Sequence, residues 1–152
     1  MKIVVISDNH GLEKIVHDIK LLHSDADYFI HCGDSEMDKN LLSGYTAVLG
    51  NNDYNGLRAE EVLEMGMHRA YITHGHRHMF TNQIQLFLDK AESYDCDFVF
   101  YGHSHVFSYQ IIDGVHLINP GSLNYNRDRS NPCYCVVETN EDVINVQRID
   151  IS

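Results

Sequence analysis

A chain of 152 residues can bury roughly two-thirds of the surface its unfolded form exposes, enough for a core that needs no staples. A composition of 43% hydrophobic, 10% aromatic and 22% charged residues with two prolines excludes the disordered and fibrous classes. The net charge of -11 argues against a nonspecific grip on nucleic acid, which needs Lys and Arg against phosphates.

Cys32, Cys96, Cys133 and Cys135 show no C-x-x-C spacing, so reduced thiols are expected rather than a disulfide framework or a cysteine zinc site. No apolar run approaches the roughly 18 residues of a membrane span, and Met1 runs straight into a strand-like segment. The expectation is a single cytoplasmic domain over residues 1–152 with no membrane partner.

In chain order, apolar runs predict strands over residues 3–6, 28–30, 46–49, 70–73, 98–101, 107–112, 115–118, 133–137 and 143–151. Leu12, Ile15, Val16, Ile19 and Leu22 fall on one face at helical spacing. A second helix is expected over residues 82–94, with Asn82 as its cap and Leu86, Phe87 and Ala91 buried. Strand, helix, strand at the start implies parallel pairing with a right-handed crossover. Asp113 and Gly114 suit a type I′ hairpin turn and a second hairpin is expected through Asn140, so the sheets should be mixed.

Residues able to do chemistry follow five of these runs. The first leads into Asp8 and His10, the second into Gly33 and Asp34, the third into Gly50, Asn51, Asn52 and Asp53. Later runs lead into His74, Gly75 and His76, and into Gly102, His103 and His105. Ligands of open α/β sheets bind beyond the carboxyl ends of strands, so five such tips can converge on one site. Asp, His and Asn suit divalent transition metals. In D-x-H and H-x-H, an extended backbone would place both side chains on one face. Each motif alone is commonplace in loops; five in order, each at a strand end, are not explained by loop composition.

The set D-x-H, G-D, G-N-x-D, H and G-H-x-H resembles the signature of the calcineurin-like metallophosphoesterase superfamily, in particular its small bacterial and archaeal phosphodiesterases. The late Asn119, Pro120, Gly121 and Ser122 extend the resemblance to most of the chain. It implies an α/β fold, a four-layer α/β/β/α sandwich of two mixed β-sheets flanked by helices. It also implies two divalent metal ions, with Mn the first choice and Fe, Zn, Ni or Co alternatives. Asp8, His10, Asp34 and His105 would hold one, and Asp34, Asn51, His74 and His103 the other. Asp34 would bridge them, and a hydroxide between the metals would attack a small phosphate-ester substrate.

One departure is informative. Many monoesterases of the superfamily carry His after the Asn of the third motif, where it assists the leaving group; here the position is Asn52. The implied preference is for phosphodiesters with acidic leaving groups unless His76 or a metal-bound water supplies the proton. Arg127 and Arg129 follow the late turn and could meet phosphate. His17, His23, His31, His68, His78 and His116 read as surface or packing residues. A phosphomonoesterase, a protein-interaction scaffold on the same fold, and a metal-storing or sensing protein built on the eleven histidines remain alternatives; homo-oligomerisation is left open.

Overall fold

In the computed structural model of the protein, which describes residues 1–78 and 82–151, the strands expected to be apolar throughout are covered on both faces. β1 (Lys2–Ile6) sends Ile3 and Val5 to one side and Val4 and Ile6 to the other, all fully buried. It pairs in parallel with β2 (Tyr28–His31), which pairs in parallel with β3 (Tyr45–Ala47). On its other edge β1 meets β9 (Cys133–Asn140) antiparallel, and β9 meets β10 (Val143–Asp150). The resulting sheet runs β10-β9-β1-β2-β3.

The second sheet holds β4 (Glu60–Met65), β5 (His68–Thr73), β6 (Phe98–Phe100), β7 (Ser108–Ile112) and β8 (Val115–Asn119) in the order β4-β5-β6-β8-β7. β5, β6 and β8 are parallel neighbours, and the two edges are antiparallel. Both sheets are therefore mixed, as expected.

The strand alternation builds three apolar layers. Ile3, Val5 and Ile30 of the first sheet meet Ile72, Phe98 and Phe100 of the second. Val4, Ile6 and Val136 face Val16 and Ile19 of α1 (Glu13–Leu22). Tyr71, Val99 and Leu117 face Phe87 and Ala91 of α2 (Gln83–Ser93). This is the four-layer α/β/β/α sandwich. Leu12 and Leu22 fall at the ends of the α1 stripe and stay exposed, and Leu86 is only half-buried. Asn82 caps α2, its side chain accepting from the Gln85 N–H at 3.4 Å. Neither helix is long and apolar enough to cross a membrane.

Asp113 and Gly114 both take positive φ (52° and 78°), the conformation a type I′ turn needs. The last hairpin closes on the Asn140–Val143 pair and turns through Glu141 and Asp142. β4 was not expected. Its sequence EEVLEM is too acidic to read as a strand, and it forms as the antiparallel partner of β5, with Met65 opposite His68 around a turn at Gly66. All four cysteines are free and buried.

Candidate metal centre

The carboxyl ends of β1, β2, β5 and β6 lie on one edge of the sandwich, and cross-sheet hydrogen bonds pin that edge. His74 Nδ1 reaches the Cys32 carbonyl at 2.7 Å, and the His103 N–H donates to Asp8 Oδ2 at 3.0 Å. Gly102 leaves room for this approach, since a side chain there would collide with Ser7 Oγ and come within 2.8 Å of Asp8 Oδ2.

All seven expected donors meet here. Asp8, His10 and His105 form one group and Asp34, His74 and His103 another, the ligand atoms of each within 4.8 Å of one another. Asn51 Oδ1 lies 3.0 Å from His74 Nε2. The carboxylates stand between the groups. Asp34 Oδ2 is 3.4 Å from His74 Nε2 and 4.0 Å from His10 Nε2. Asp8 Oδ1 is 3.3 Å from His105 Nε2 and 3.8 Å from both His10 Nε2 and His74 Nε2.

The convergence does not come from an extended backbone, contrary to expectation. Asp8, His10, Asp34, His103 and His105 all have positive φ, between 44° and 71°. The side chains are aimed by individual left-handed residues, a conformation that costs non-glycine residues and clusters at functional sites.

Three histidines have their outer nitrogens committed. His74 Nδ1 donates to a carbonyl, His105 Nδ1 donates to the Tyr125 carbonyl at 3.1 Å, and His10 Nδ1 meets Glu36 Oε1 at 2.6 Å. Each pairing keeps a proton on Nδ1 and turns Nε2 inward, the arrangement that orients metal-ligating imidazoles. Nitrogen then faces nitrogen: His10 Nε2 and His105 Nε2 are 3.1 Å apart, and His103 Nδ1 and His74 Nε2 3.2 Å. Among the described residues, fully buried Asp8 Oδ1 has no hydrogen-bond partner. Inward-turned ring nitrogens crowded on one another and an orphaned carboxylate oxygen are costly alone and are satisfied by cations, so the donor set fits divalent metal.

Electrostatics agree. Burial pushes the Asp8 carboxyl up, but the His105 and His74 imidazoles and the Ser7 hydroxyl outweigh it and hold it below the usual range. Burial acts likewise on Asp34, and His74 with the Asn52 donors outweighs it. Both carboxylates are ionised at neutral pH, as ligation requires. Burial lowers His74, but Asp34 and Asp8 more than reverse that. Burial and then the His74 charge push His103 and His76 down.

Several residues that build the site were not singled out as such. Asp53 accepts from the N–H groups of Asp34 (2.9 Å), Gly50 (2.8 Å) and Glu36 (2.8 Å), clamping two loops on one carboxylate. Ser122 Oγ donates to the Asp8 carbonyl at 2.8 Å, and Asn119 Nδ2 donates to the Gly102 carbonyl at 3.1 Å. The late turn therefore holds both donor loops. His76 stands beside the donors, its ring centroid 5.4 Å from that of His74 and 6.1 Å from that of His103. Arg127 donates its backbone N–H to the His105 carbonyl at 3.0 Å, and both Arg127 and Arg129 are exposed.

His31 lies fully buried under the site, its Nε2 donating to Asn9 Oδ1 (2.7 Å) and its Nδ1 accepting from the Gly33 N–H (3.0 Å). Burial holds its pKa at about 4 against an ordinary 6.5. As pH falls the unfolded chain takes the proton first, so stability from the neutral ring is complete above pH 6.5 and is lost between there and pH 4. The shift corresponds to about 3 kcal/mol. Urea unfolding at several pH values should show the parent losing stability over this window more steeply than His31→Gln; equal slopes would contradict the assignment.

The calcineurin-like phosphoesterase superfamily domain matches residues 1–142. The chain belongs to this superfamily. A probable metallophosphoesterase of Bacillus subtilis, YsnB, is 34% identical over 99% of this chain and 91% of its own length. Phosphodiesterase MJ0936 of Methanocaldococcus jannaschii is 31% identical over 80% of this chain and 83% of its own. Among solved structures, a conserved uncharacterised protein of Streptococcus pneumoniae, described as a predicted phosphoesterase, superposes with a TM-score of 0.92 at 30% identity, covering 98% of this chain and 88% of its own. The donor loops of this metallophosphoesterase domain all lie within the matched span.

Proposed function

We propose that the protein is a metal-dependent phosphodiesterase acting on small phosphate diesters. The observation that carries this reading is the pair of adjoining donor groups, Asp8, His10 and His105 beside Asp34, His74 and His103, with ionised carboxylates between them. In this reading Asp34 is shared and Asn51 completes the second group. Two divalent ions, Mn²⁺ foremost, would supply Lewis acidity for the phosphoryl oxygens and a water acidic enough to act as nucleophile near neutral pH.

The protein's own groups hold and orient. His10, His74 and His105 are aimed by Glu36, the Cys32 carbonyl and the Tyr125 carbonyl. The Asn52 N–H and side-chain amide both donate to Asp34, each at 2.9 Å, so Asn52 steadies the shared carboxylate and offers no acidic proton. His76 stands beside the donors, but burial and then His74 hold its pKa below the ordinary value, so the neutral ring predominates at neutral pH and alkoxide leaving groups are poorly served.

Bis(p-nitrophenyl) phosphate, p-nitrophenyl phosphate and an alkyl diester, assayed side by side with Mn²⁺, test the reading. The aryl diester should turn over fastest and the alkyl diester far more slowly. A faster monoester would make the protein a phosphomonoesterase, and no turnover of any ester would leave the scaffold or metal-storing readings.

A further inference from the structure

A cleft of about 350 Å³ opens beside the Asp34 group, lined by Arg58, Glu60, Thr73, His76, Arg77 and Lys90 among others. Three of the chain's eleven Lys and Arg residues meet in this one place on a protein of net charge -11. The only carboxylate among the described lining residues, Glu60, is already engaged by Tyr71 Oη at 2.6 Å, Tyr94 Oη at 3.2 Å and Lys90 Nζ at 3.5 Å. The two guanidinium groups are held more loosely. Arg58 approaches Glu61 only at 3.9 Å with its side chain 79% exposed, and Arg77 has no ion pair among the described residues.

The cleft is continuous with the donor loops. Thr73 immediately precedes His74, His76 is shared between the cleft wall and the donor cluster, and the Arg58 carbonyl accepts from the Leu49 N–H at 2.8 Å just before Gly50 and Asn51. A surplus of guanidinium charge beside a phosphoester site suits a second phosphoryl group, because the planar fork matches phosphate oxygens two at a time. We propose that this cleft binds a second phosphoryl group of the substrate, so that the preferred diester carries another phosphate on the same molecule. The proposal rests on the phosphodiesterase reading and names the substrate class of that site.

The test compares thymidine 5′-(p-nitrophenyl phosphate) with its 3′-phosphorylated form on the Mn²⁺-loaded full chain. The leaving group is the same in both, so the ratio of kcat/KM reports the second phosphate alone. The parent should favour the 3′-phosphorylated ester by roughly 10- to 100-fold, the range of charged hydrogen bonds. Arg58→Gln with Arg77→Gln should bring the ratio near one, and each single change should lower it. A parent ratio near one, or a ratio unchanged in the double variant, overturns the proposal.

If no diester turns over, the phosphodiesterase reading fails separately, and calorimetry with thymidine 3′,5′-bisphosphate still decides the cleft. Binding roughly tenfold tighter to the parent than to the double variant would sustain it, and equal binding would overturn it.

Discussion

Asp34→Asn is expected to remove activity by more than the roughly 10- to 100-fold typical of residues that only orient a metal ligand, and by more than His103→Ala or His105→Ala. The carboxylate lies between the two donor groups, 3.4 Å from His74 Nε2 and 4.0 Å from His10 Nε2. An amide keeps its shape and loses the charge that the proposed reading has both groups share. It also has one acceptor where the carboxylate has two, so one of the Asn52 donors loses its partner. Elemental analysis beside the assay is the check. Two metals per chain with near-normal turnover in Asp34→Asn would show that the shared role is wrong.

Asp53→Ala is expected to be the most damaging change among residues that touch no proposed ligand atom. It strips the acceptor from three backbone N–H groups at once, those of Asp34, Gly50 and Glu36. At about 1 to 3 kcal/mol for each buried donor left unpaired, partly relieved by relaxation, a loss of about 3 to 5 kcal/mol is expected. That is a large part of the roughly 5 to 15 kcal/mol that stabilises a domain. Asp53→Asn should cost less, because its oxygen can still serve the Asp34 and Gly50 donors while its NH₂ confronts the Glu36 N–H. Metal affinity should follow stability, since freeing Glu36 also frees its grip on His10. Urea unfolding and metal titration of the two variants check this; equal stabilities for Ala and Asn would mean the three bonds do not act as described.

The seven donors were legible because they are chemically rare combinations at strand ends, and a strand end is visible as an apolar run followed by glycine and polar residues. The two central layers were legible for a similar reason, since β1 and β6 are covered on both faces and read as continuous apolar runs. β4 was not, because its two leading glutamates and exposed Val62 give no alternation, and pairing with β5 is a tertiary fact. The aiming of the donors was also hidden. D-x-H suggested an extended backbone, whereas Asp8 and His10 are both left-handed, a state Asp and His tolerate better than most residues but do not announce.

The roles of the supporting residues were hidden for a different reason. Asp53, Asn119 and Ser122 hold backbone groups of other loops, His31 meets the Asn9 amide and the Gly33 N–H, and Glu36 meets the His10 ring; sequence spacing does not reveal such partners. Asp53 came nearest to discovery, as the acid three residues after Gly50 in the third motif. Its function could be assigned only once the loop carrying Asp34 was seen folded against it.

The measurement that bears most directly on a two-cation phosphodiesterase is a titration of metal-stripped protein with Mn²⁺, following bis(p-nitrophenyl) phosphate hydrolysis against bound metal per chain. No activity at zero metal and a rise that saturates only when two equivalents are bound is the expected result. Full activity in verified metal-free protein, or a plateau at one equivalent, would contradict it.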